Sequence, residues 1–394
     1  MNVLHIGKFF TPFKGGLENY MLDLVTALHR RGVHCCAVVH RHERSFRSVD
    51  DVLDAGGHPL HVVRAGTWFK FMYTPFSPMF PVLLRRLVGR YQPDIIHIHM
   101  PNPSAFWALL MIGTREIPWV VHWHADVVAS THDPRLRWFY HLYRPLEQWL
   151  LRRARAIVAT SRAYLEHSSP LAPHLARCHV LPLGLDASRY AHISASPSPP
   201  TEGNSQLRVL AIGRLTYYKG FEHLVSATAQ ARDVQVDIVG TGSRERALRS
   251  LVETLGLQER VSLRGELSDE KMWRLIDQCD CICLPSVERT EAFGMVILEA
   301  MLHSRATIIS DVPGSGMGAI VEHGSTGIKV APGDEEALAS AMAWMRDHPD
   351  ETRAMGRRGR QKFEEQFSMN QSVPAMIDLY QGLLREHPGH ADGV

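Results

Sequence analysis

The chain has 394 residues, with 43 Lys and Arg against 41 Asp and Glu, which gives a formal net charge of +2 at pH 7. This length exceeds the size at which one hydrophobic core usually stops growing, so two domains are expected. A composition of 45% hydrophobic and 21% charged residues is that of a globular protein and excludes a disordered, collagen-like or coiled-coil chain. No apolar run approaches the ~20 residues that a membrane-spanning helix needs.

The near-neutral total hides a difference between the two halves. Residues 1–190 carry 22 basic and 13 acidic side chains, a net charge of +9, whereas residues 191–394 carry 21 and 28, a net charge of −7. The sign changes next to a stretch rich in Pro and Ser, 194–205, which is typical of a linker. We therefore predict a domain over 1–190, a linker over 191–206, a second domain over 207–368, and a C-terminal helix and tail over 369–394.

Short β-branched segments alternate with longer amphipathic segments along the whole chain, which is the pattern of parallel sheets with helical crossovers. In the first domain strands are predicted at 3–7, 35–40, 61–64, 94–99, 118–122, 156–160 and 178–182. The second domain repeats the pattern, with strands at 208–213, 234–239, 261–264, 280–284 and 307–310. This predicts an α/β fold of two Rossmann-like, doubly wound domains that face one another across a ligand cleft. Three further helices, 334–347, 351–366 and 370–386, exceed what one sheet face needs, so we expect one of them to cross back to the first domain.

The N-terminus and the cysteines bear on the compartment. The chain opens on a strand-like run without the basic start, apolar stretch and cleavage site of a secretory signal, which predicts a cytoplasmic protein. The six cysteines include no Cys-x-x-Cys pair, and this favours neither a thioredoxin-like motif nor a zinc ribbon. Cys279, Cys281 and Cys283 recur at period 2, and we interpret them as small buried side chains of one strand.

Two loops contain glycines and cations where phosphate could bind. Gly15 and Gly16 lie between the first strand and an amphipathic helix, where paired glycines let the backbone approach a phosphate and the helix supplies free N–H groups. A plain strand-to-helix turn explains this pair equally well. Arg214 and Lys219 occupy the equivalent loop of the second domain with glycines on both sides, which favours an anion site over ordinary solvated charges.

A third motif, 291–299, places Glu291 and Glu299 eight positions apart at the start of a predicted helix. Eight helical residues rise ~12 Å, whereas a glycosidase pair is separated by roughly 5 to 9.5 Å. We interpret the two carboxylates as binding opposite ends of one extended ligand, with a diphosphate near the N–H groups of Phe293, Gly294 and Met295. An ordinary first-turn acid explains the first carboxylate but not the second, which lies among apolar residues.

Together, Gly-Gly-x-Glu at 15–18, Gly-Arg-Leu at 213–215 with a Lys five positions after the Arg, and Glu-Ala-Phe-Gly-x-x-x-x-Glu at 291–299 resemble the retaining GT-B glycosyltransferases of family 4. The similarity spans nearly the whole chain and implies two Rossmann-like domains that clamp a nucleotide sugar. It assigns Arg214 and Lys219 to the leaving diphosphate and Gly16 to closing over the phosphates. By the same resemblance, Glu299 holds the ribose and Glu291 meets the sugar hydroxyls.

Histidines recur at the carboxyl ends of two predicted strands, where open α/β sheets bind ligands. His97 and His99 share one strand face, as do His122 and His124, but the spacing nominates no third and fourth ligand for zinc. The resembled family usually has a His followed two residues later by an Asp at this point, and His124 with Asp126 matches it. The resemblance therefore places both residues at the reacting centre, while the other three histidines are predicted to pack or to line the cleft.

No metal or cofactor is expected. The sequence contains no Asp-x-Asp, and Lys, Arg and a helix N-terminus can stabilise a departing diphosphate without an ion. The resemblance implies a retaining transfer by same-face attack, in which the donor phosphate takes the proton of the acceptor. No protein general base is then needed.

Residues 67–90 place aromatic side chains beside cations, including Trp68, Lys70, Arg85 and Arg86. Core packing explains some of them, but such a surface also suits an anionic bilayer or a lipid-linked diphosphate acceptor. The expected partners are a nucleotide-sugar donor, a lipid-linked glycan acceptor and the anionic inner face of the plasma membrane, with peripheral attachment there and no nucleic acid.

These observations predict a hexosyltransferase of cell-surface polysaccharide synthesis that extends a lipid-linked, O-antigen-like glycan. A loose resemblance at 122–128 and 312–316 favours GDP-mannose or a related sugar, with UDP-glucose and UDP-N-acetylglucosamine as alternatives. A nucleotide-sugar epimerase shares the architecture but would be expected to lack the motif at 291–299. A non-catalytic nucleotide-sugar-binding protein is the third class, and the intact charged residues at both motifs weigh against it.

Overall fold

The computed structural model describes residues 1–71, 74–127, 134–190 and 206–386, with the backbone alone over 134–137. The chain divides into two compact units. Unit 1 combines Met1–Asp186 with the C-terminal stretch that begins at Met369, and unit 2 is Ala187–Ser368. The predicted linker, except Gln206, and the tail after residue 386 lie outside the described residues.

Unit 1 is an α/β unit around one large sheet. Its strands are β1 (Asn2–Ile6), β2 (His34–Arg44), β3 (Val49–Asp54), β4 (Pro59–Thr67), β5 (Phe69–Phe71), β6 (Thr74–Phe76), β7 (Ile95–Met100), β8 (Trp119–Trp123), β9 (Ala156–Ala159) and β10 (Cys178–Val180). Eight of them form a sheet in the order β10-β9-β8-β7-β1-β2-β4-β3, parallel throughout except that β3 runs antiparallel to β4. β5 and β6 form a separate hairpin. Its helices include α1 (Gly16–His29), α2 (Phe80–Tyr91), α3 (Pro134–Arg153) and α4 (Arg162–His167).

Unit 2 repeats this plan with a six-stranded, fully parallel sheet. Its strands are β11 (Leu207–Ile212), β12 (Val234–Val239), β13 (Val261–Gly265), β14 (Cys281–Leu284), β15 (Ala306–Ser310) and β16 (Gly327–Val330). Their order is β13-β12-β11-β14-β15-β16. The helices are α5 (Phe221–Gln230), α6 (Glu245–Thr254), α7 (Asp269–Gln278), α8 (Met295–Leu302), α9 (Met317–Ile320), α10 (Glu335–Asp347) and α11 (Pro349–Lys362). The two doubly wound sheets confirm the predicted fold class.

The last helix, α12 (Met369–Arg385), belongs to unit 1 and packs against α1. Its buried side chains include Val373, Met376 and Tyr380. The Tyr380 hydroxyl contacts Nδ1 of His97 on β7. The excess of C-terminal helices therefore correctly predicted a helix that crosses back to the first domain.

Burial explains why the strands read as continuous apolar runs. Helices cover the faces of parallel sheets, so the strands are buried on both sides, and every residue of β14 and β15 is buried. Cys281 and Cys283 lie in β14 as predicted, but Cys279 is the C-cap residue that directly follows α7 and precedes the strand. All six cysteines are free, and burial raises the pKa of Cys279 to about 12.

Three parts of the sheet content were not predicted. These are the antiparallel strand β3, the β5–β6 hairpin and the short strand β16. Among the described residues, no helix combines the length and the apolar character needed to cross a membrane.

Candidate functional site

The first candidate site lies in unit 2, where the order of the strands reverses. β11 has β12 on one side and β14 on the other. The chain therefore leaves β11 towards β12 and β13, and then crosses to the other side of β11 to form β14. Ligands of open α/β sheets bind at such a switch point, outside the carboxyl ends of the strands. The loops that follow β11 and β14 carry Arg214, Lys219 and Glu291, so the structure brings these predicted residues to one edge of the sheet.

The two loops are fastened to each other at Gly220. This glycine directly follows Lys219 and has a φ of 65°. A Cβ atom there would collide with the carbonyl oxygen of Pro285 in the loop after β14, so the close approach requires glycine. The amide of Val287 also donates to the carbonyl of Tyr218 over 2.9 Å. The position of Lys219 is therefore fixed relative to the loop that holds Glu291.

Lys219 and Glu291 form an ion pair in which each side chain is only 12% exposed. Burial by itself lowers the pKa of Lys219, but the charge of Glu291 and its hydrogen bond outweigh burial and raise the pKa above its ordinary value. Arg214 is exposed in the same loop and acts in the opposite direction by repulsion. Lys219 consequently stays protonated at physiological pH, and with Arg214 it gives these loops a net positive charge.

Glu291 is held in place by the loop after β15. The Ser315 hydroxyl donates to the carbonyl of Glu291 over 2.5 Å, and the Gly316 amide donates to the carbonyl of Ala292 over 2.7 Å. Sequence reasoning did not assign this role to Ser315. The available signal was a run of small residues, 314–316, that closely follows a strand at the same edge of the sheet.

The helix that carries Glu299 begins later than the motif suggests. α8 starts at Met295, and Gly294 caps it with a φ of 84°. A Cβ atom at Gly294 would lie 2.9 Å from Cδ1 of Ile297, so this turn also depends on glycine. Glu291 precedes the helix, and the estimate of its separation from Glu299 by helical rise therefore does not apply.

The remaining predicted donor-binding residues of unit 2 surround the start of α8. Phe293 is 4% exposed and packs its ring against Phe367, with the ring centroids 6.4 Å apart. Glu299 lies on the second turn of α8 and is 7% exposed. The amide of Ile297 donates to the carbonyl of Gly294 over 2.9 Å. The amides of Met295 and Val296, the first two of the helix, have no carbonyl one turn earlier in α8 to which they could donate.

In unit 1 the glycine pair begins α1. Gly15 is the N-cap residue, with an extended backbone, and Gly16 is the first helical residue. A Cβ atom at Gly15 would collide with the carboxylate of Glu18, which is buried. The crowding shows why a small residue is favoured in this turn, and contact with a phosphate stays a prediction.

Five buried histidines lie beside the switch point of unit 1, between β1 and β7. They are His5 on β1, His97 and His99 on β7, His122 on β8, and His124 directly after β8. The strand register places His97 beside His5 and His99 beside His122. Sequence reasoning found the last four and missed His5, because only the adjacency of β1 and β7 brings it to the others.

Hydrogen bonds join these rings in two sets. Nδ1 of His5 lies 3.1 Å from Nε2 of His99, and Nδ1 of His99 lies 3.1 Å from Nε2 of His124. In the second set, Nε2 of His97 lies 3.3 Å from Nδ1 of His122. Burial lowers the pKa of all five imidazoles, to about 3 for His99. The cluster is therefore uncharged at physiological pH.

Asp126, two residues beyond His124, is buried and engaged inside the protein. Its carboxylate accepts from the indole N–H of Trp123 and from the hydroxyl of Ser168, both over 2.7 Å. Its own amide donates to the Tyr164 hydroxyl over 2.6 Å. These contacts give Asp126 a role in shaping the turn after β8, and its predicted catalytic role stays a prediction.

Unit 1 also exposes an aromatic surface formed by the β5–β6 hairpin, the neighbouring loop and α3. Its members are Phe46, Trp68, Phe69, Phe71, Phe76, Trp138, Phe139 and Leu142. The rings of Phe71 and Phe139 lie 5.0 Å apart and join the hairpin to α3. Lys70 donates to the carbonyl of His42 over 2.7 Å, and Arg85 and Arg86 are exposed on α2. Sequence reasoning found the hairpin side and missed α3, while residues 72–73 lie outside the described residues.

Two family models match the chain. Residues 14–189 match the model described as Glycosyltransferase Family 4, and residues 196–362 match the model described as Glycosyl transferases group 1. The first match covers most of unit 1, and the second covers most of unit 2.

Curated relatives match over nearly the whole length. The chain is 29% identical over 386 residues to an O-antigen chain mannosyltransferase C of Escherichia coli, covering 98% of this chain and 99% of the relative. It is 30% identical over 376 residues to the D-rhamnosyltransferase WbpZ of Pseudomonas aeruginosa, covering 93% and 92%. It is 25% identical to a GDP-mannose-dependent phosphatidylinositol monomannoside mannosyltransferase of Mycobacterium tuberculosis, covering 96% and 98%.

The fold also matches solved structures. A sucrose-phosphate synthase from Thermosynechococcus elongatus superimposes with a TM-score of 0.78 at 22% identity, covering 98% of this chain and 99% of that one. Identity at this level supports the shared two-sheet architecture alone.

Proposed function

This chain belongs to the family 4-type GT-B glycosyltransferases, and we propose that it transfers a hexose from GDP-mannose or a related nucleotide sugar to a lipid-linked glycan acceptor. The transfer would retain the configuration of the sugar, need no metal, and serve the synthesis of a cell-surface polysaccharide. The names of the relatives support this choice of sugar and pathway, since they include an O-antigen mannosyltransferase and a GDP-mannose-dependent enzyme.

The observation that carries the proposal is the Lys219–Glu291 pair, with Arg214 beside it, at the carboxyl ends of β11 and β14. A nucleoside diphosphate gains negative charge as its bond to the sugar breaks, and cations that are already in place stabilise that charge most effectively. In the proposal, Lys219 and Arg214 bind the diphosphate. The N–H groups of Met295 and Val296 at the start of α8 add further donors.

The proposal gives the other predicted residues roles in binding the same donor. Glu291 binds hydroxyls of the transferred sugar, and Glu299 binds the ribose. From unit 1, Gly15 and Gly16 let the backbone approach the phosphates, and His124 binds a hydroxyl of the sugar. The uncharged state of His124 supports this role, since a neutral imidazole both donates and accepts hydrogen bonds.

The same cations support a transfer without metal. Two positive charges and a helix N-terminus can replace a divalent ion at a diphosphate, and the sequence has no Asp-x-Asp to hold one. Activity should therefore be the same in EDTA and in magnesium. Activity that is abolished by EDTA and restored by magnesium would overturn this part of the proposal.

Thermal-shift measurements with nucleotide sugars test the donor. A ligand at 100 times its dissociation constant stabilises the folded protein by about 2.7 kcal/mol, so GDP-mannose should raise the melting temperature, and UDP-glucose, UDP-N-acetylglucosamine and ADP-glucose should raise it less. Lys219→Ala should abolish the shift, while Lys271→Ala, at an exposed position of α7, should preserve it. A larger shift with a UDP-sugar would replace the proposed donor, and no shift with any of them would contradict a donor site.

The aromatic surface supports a peripheral position on an anionic membrane. Exposed aromatic rings can enter the headgroup region while neighbouring Arg side chains attract anionic lipids. Trp68, Phe71 and Trp138 are 38%, 51% and 65% exposed, and Arg85 and Arg86 lie nearby in sequence on α2. A lipid-linked acceptor would reach the enzyme at this membrane.

A further inference from the structure

We propose that His5, His99 and His124 act as one hydrogen-bonded imidazole chain, in which His99 and His5 are positioning residues for His124. The inference rests on the proposed function only for what His124 binds, since the chain itself follows from contacts within unit 1. None of the three motifs that predicted the donor site includes His5 or His99.

The ring geometry is that of an end-to-end chain. The planes of His5 and His99 are 24° apart, and those of His99 and His124 are 11° apart, with 3.1 Å between the facing nitrogens at both links. A ring nitrogen donates and accepts in the plane of its ring, so nearly parallel rings in edge contact can align an N–H with a lone pair.

A neutral imidazole has one donor nitrogen and one acceptor nitrogen, so the three rings must choose their tautomers together. If Nδ1 of His124 is protonated, its Nε2 accepts from Nδ1–H of His99, whose Nε2 accepts from Nδ1–H of His5. All three rings are then Nδ1–H tautomers. In the opposite direction, all three are Nε2–H tautomers. Fixing His5 and His99 therefore fixes which nitrogen of His124 donates.

The nitrogens at the two ends of the imidazole chain distinguish between these directions. Nε2 of His5 and Nδ1 of His124 are both buried without a hydrogen-bond partner among the described residues. Orphaned buried N–H groups are rarer in proteins than under-satisfied acceptors. A ligand hydroxyl that accepts from Nδ1–H of His124 leaves only the lone pair of His5 unpaired. We therefore assign the Nδ1–H direction to the working enzyme.

The same nitrogens raise the question of a metal. Ligand atoms of His5, His97 and His99 lie within 4.8 Å of one another, as do those of His99, His122 and His124. A metal lies in the plane of each imidazole that binds it, along the lone pair. Each set contains two rings that lie face to face: His97 and His99, with centroids 4.6 Å and planes 10° apart, and His122 and His124, with centroids 4.2 Å and planes 16° apart. The lone pairs of two such rings run side by side and do not converge on one point. The geometry points to hydrogen bonds instead.

The test uses NMR of the full-length protein labelled with ¹⁵N in its histidine rings. In the wild type, the ¹⁵N shifts should identify His5, His99 and His124 as Nδ1–H tautomers in the presence of GDP-mannose, with strongly deshielded protons at the two links. His99→Phe should remove both of these protons. His97→Phe, a matched change on the same strand, should leave both in place and remove only the separate protons that His97 shares with His122 and with Tyr380.

Several outcomes would overturn the chain. They are mixed tautomers among the three rings in the wild type, survival of both protons in a folded His99→Phe variant, and one equivalent of zinc in the purified protein that a chelator removes with a change in these resonances. If His99→Phe does not fold, the tautomers of the three rings in the wild type still show whether the imidazole chain exists.

Steady-state transfer tests the positioning role. His5 lies two rings from His124. His5→Phe should lower kcat and kcat/KM together by on the order of 10-fold, because a misoriented N–H group of His124 weakens binding of the transition state more than binding of the substrate. His179→Phe, the same change at an exposed position of β10, should leave both unchanged. Full activity in a folded His5→Phe variant would refute positioning. If no nucleotide sugar supports turnover in the wild type, the proposed function is wrong. The NMR result still shows whether the three imidazoles form a hydrogen-bonded chain.

Discussion

The two candidate sites occupy the same place in their sheets but hold opposite kinds of chemistry. In unit 1, five histidines at the switch point are buried and their pKa values fall, so the site offers uncharged hydrogen-bonding groups. In unit 2, Lys219 is also largely buried, yet Glu291 beside it raises its pKa and preserves its charge. The topology therefore fixes where a site lies, and the pairing of the buried groups decides whether it is charged.

Removing a charged side chain of the candidate site in unit 2 should have the largest effect on kcat. We expect Lys219→Ala to lower kcat by roughly 10³-fold, because the leaving diphosphate loses a cation held in place before the reaction. Glu291→Gln should lower kcat similarly, because it removes both the predicted sugar contact and the partner of Lys219. Initial rates with saturating donor measure both effects.

Matched variants separate the loss of chemistry from the loss of fold. Lys271→Ala on α7 and Glu253→Gln on α6 change exposed side chains of the same types in the same unit and should keep full activity. Full activity in a folded Lys219→Ala or Glu291→Gln variant would remove that residue from the proposed site.

The neutral site of unit 1 should be less sensitive to a single change. His124→Ala removes one hydrogen bond rather than a charge, and we expect kcat to fall roughly 10²-fold through loss of substrate positioning. His179→Ala, an exposed change in the same unit, serves as the control. If the effect of His124→Ala equals that of His179→Ala, His124 lies outside the reaction centre.

Acid should weaken unit 1 through the same buried histidines. Their folded-state pKa values are lowered, so below pH ~6.5 the unfolded chain binds protons that the folded chain does not. The free energy of unfolding should therefore fall as the pH drops, by up to about 1.4 kcal/mol per pH unit for each histidine. For His99 the loss would continue towards its pKa of about 3.

Urea unfolding between pH 7.5 and 5.5 measures this slope. A folded His99→Phe variant should show a shallower slope than the wild type, by about the contribution of one histidine. His179→Phe should not change the slope. A wild-type free energy of unfolding that stays constant or rises as the pH drops from 7.5 to 5.5 would contradict an uncharged histidine cluster.

The smallest expected effect concerns the surface of unit 1. Wild-type protein should sediment with phosphatidylglycerol vesicles, and Trp68→Ser/Arg85→Glu/Arg86→Glu should weaken binding by at least about 10-fold, since each cation near an anionic surface contributes ~1 kcal/mol. Trp138→Ser/Leu142→Ser tests whether α3 takes part. Arg249→Glu/Arg274→Glu changes charge similarly on exposed helices of unit 2 and should bind normally. Equal binding by all four proteins would refute the membrane surface.

Hydrophobic patterning predicted most of the fold because strands buried on both faces are nearly continuous apolar runs. It missed β3, whose residues alternate between exposed and half-buried, because this edge strand pairs on one side only. It missed the β5–β6 hairpin, since its short strands belong to neither main sheet. β16, with four residues, gives too brief a pattern.

The candidate site of unit 2 was predictable because its chemistry lies in contiguous motifs. Arg214 directly follows Gly213, Lys219 directly precedes Gly220, and Glu291 lies three residues before Gly294. By contrast, His5 joins the histidine cluster through strand adjacency, and Ser315 reaches Glu291 from another loop. Spacing along the chain does not contain such relations.

The return of α12 to unit 1 sets an order for synthesis on the ribosome. Unit 2 is continuous in sequence and can fold as soon as residue 368 has emerged, whereas unit 1 waits until α12 has emerged. Until Val373 and Tyr380 arrive, the surface of α1 against which α12 packs is uncovered. A message truncated before the codons for α12 would thus yield a chain with an incomplete first unit. Such a chain exposes the kind of apolar surface that chaperones and proteases recognise.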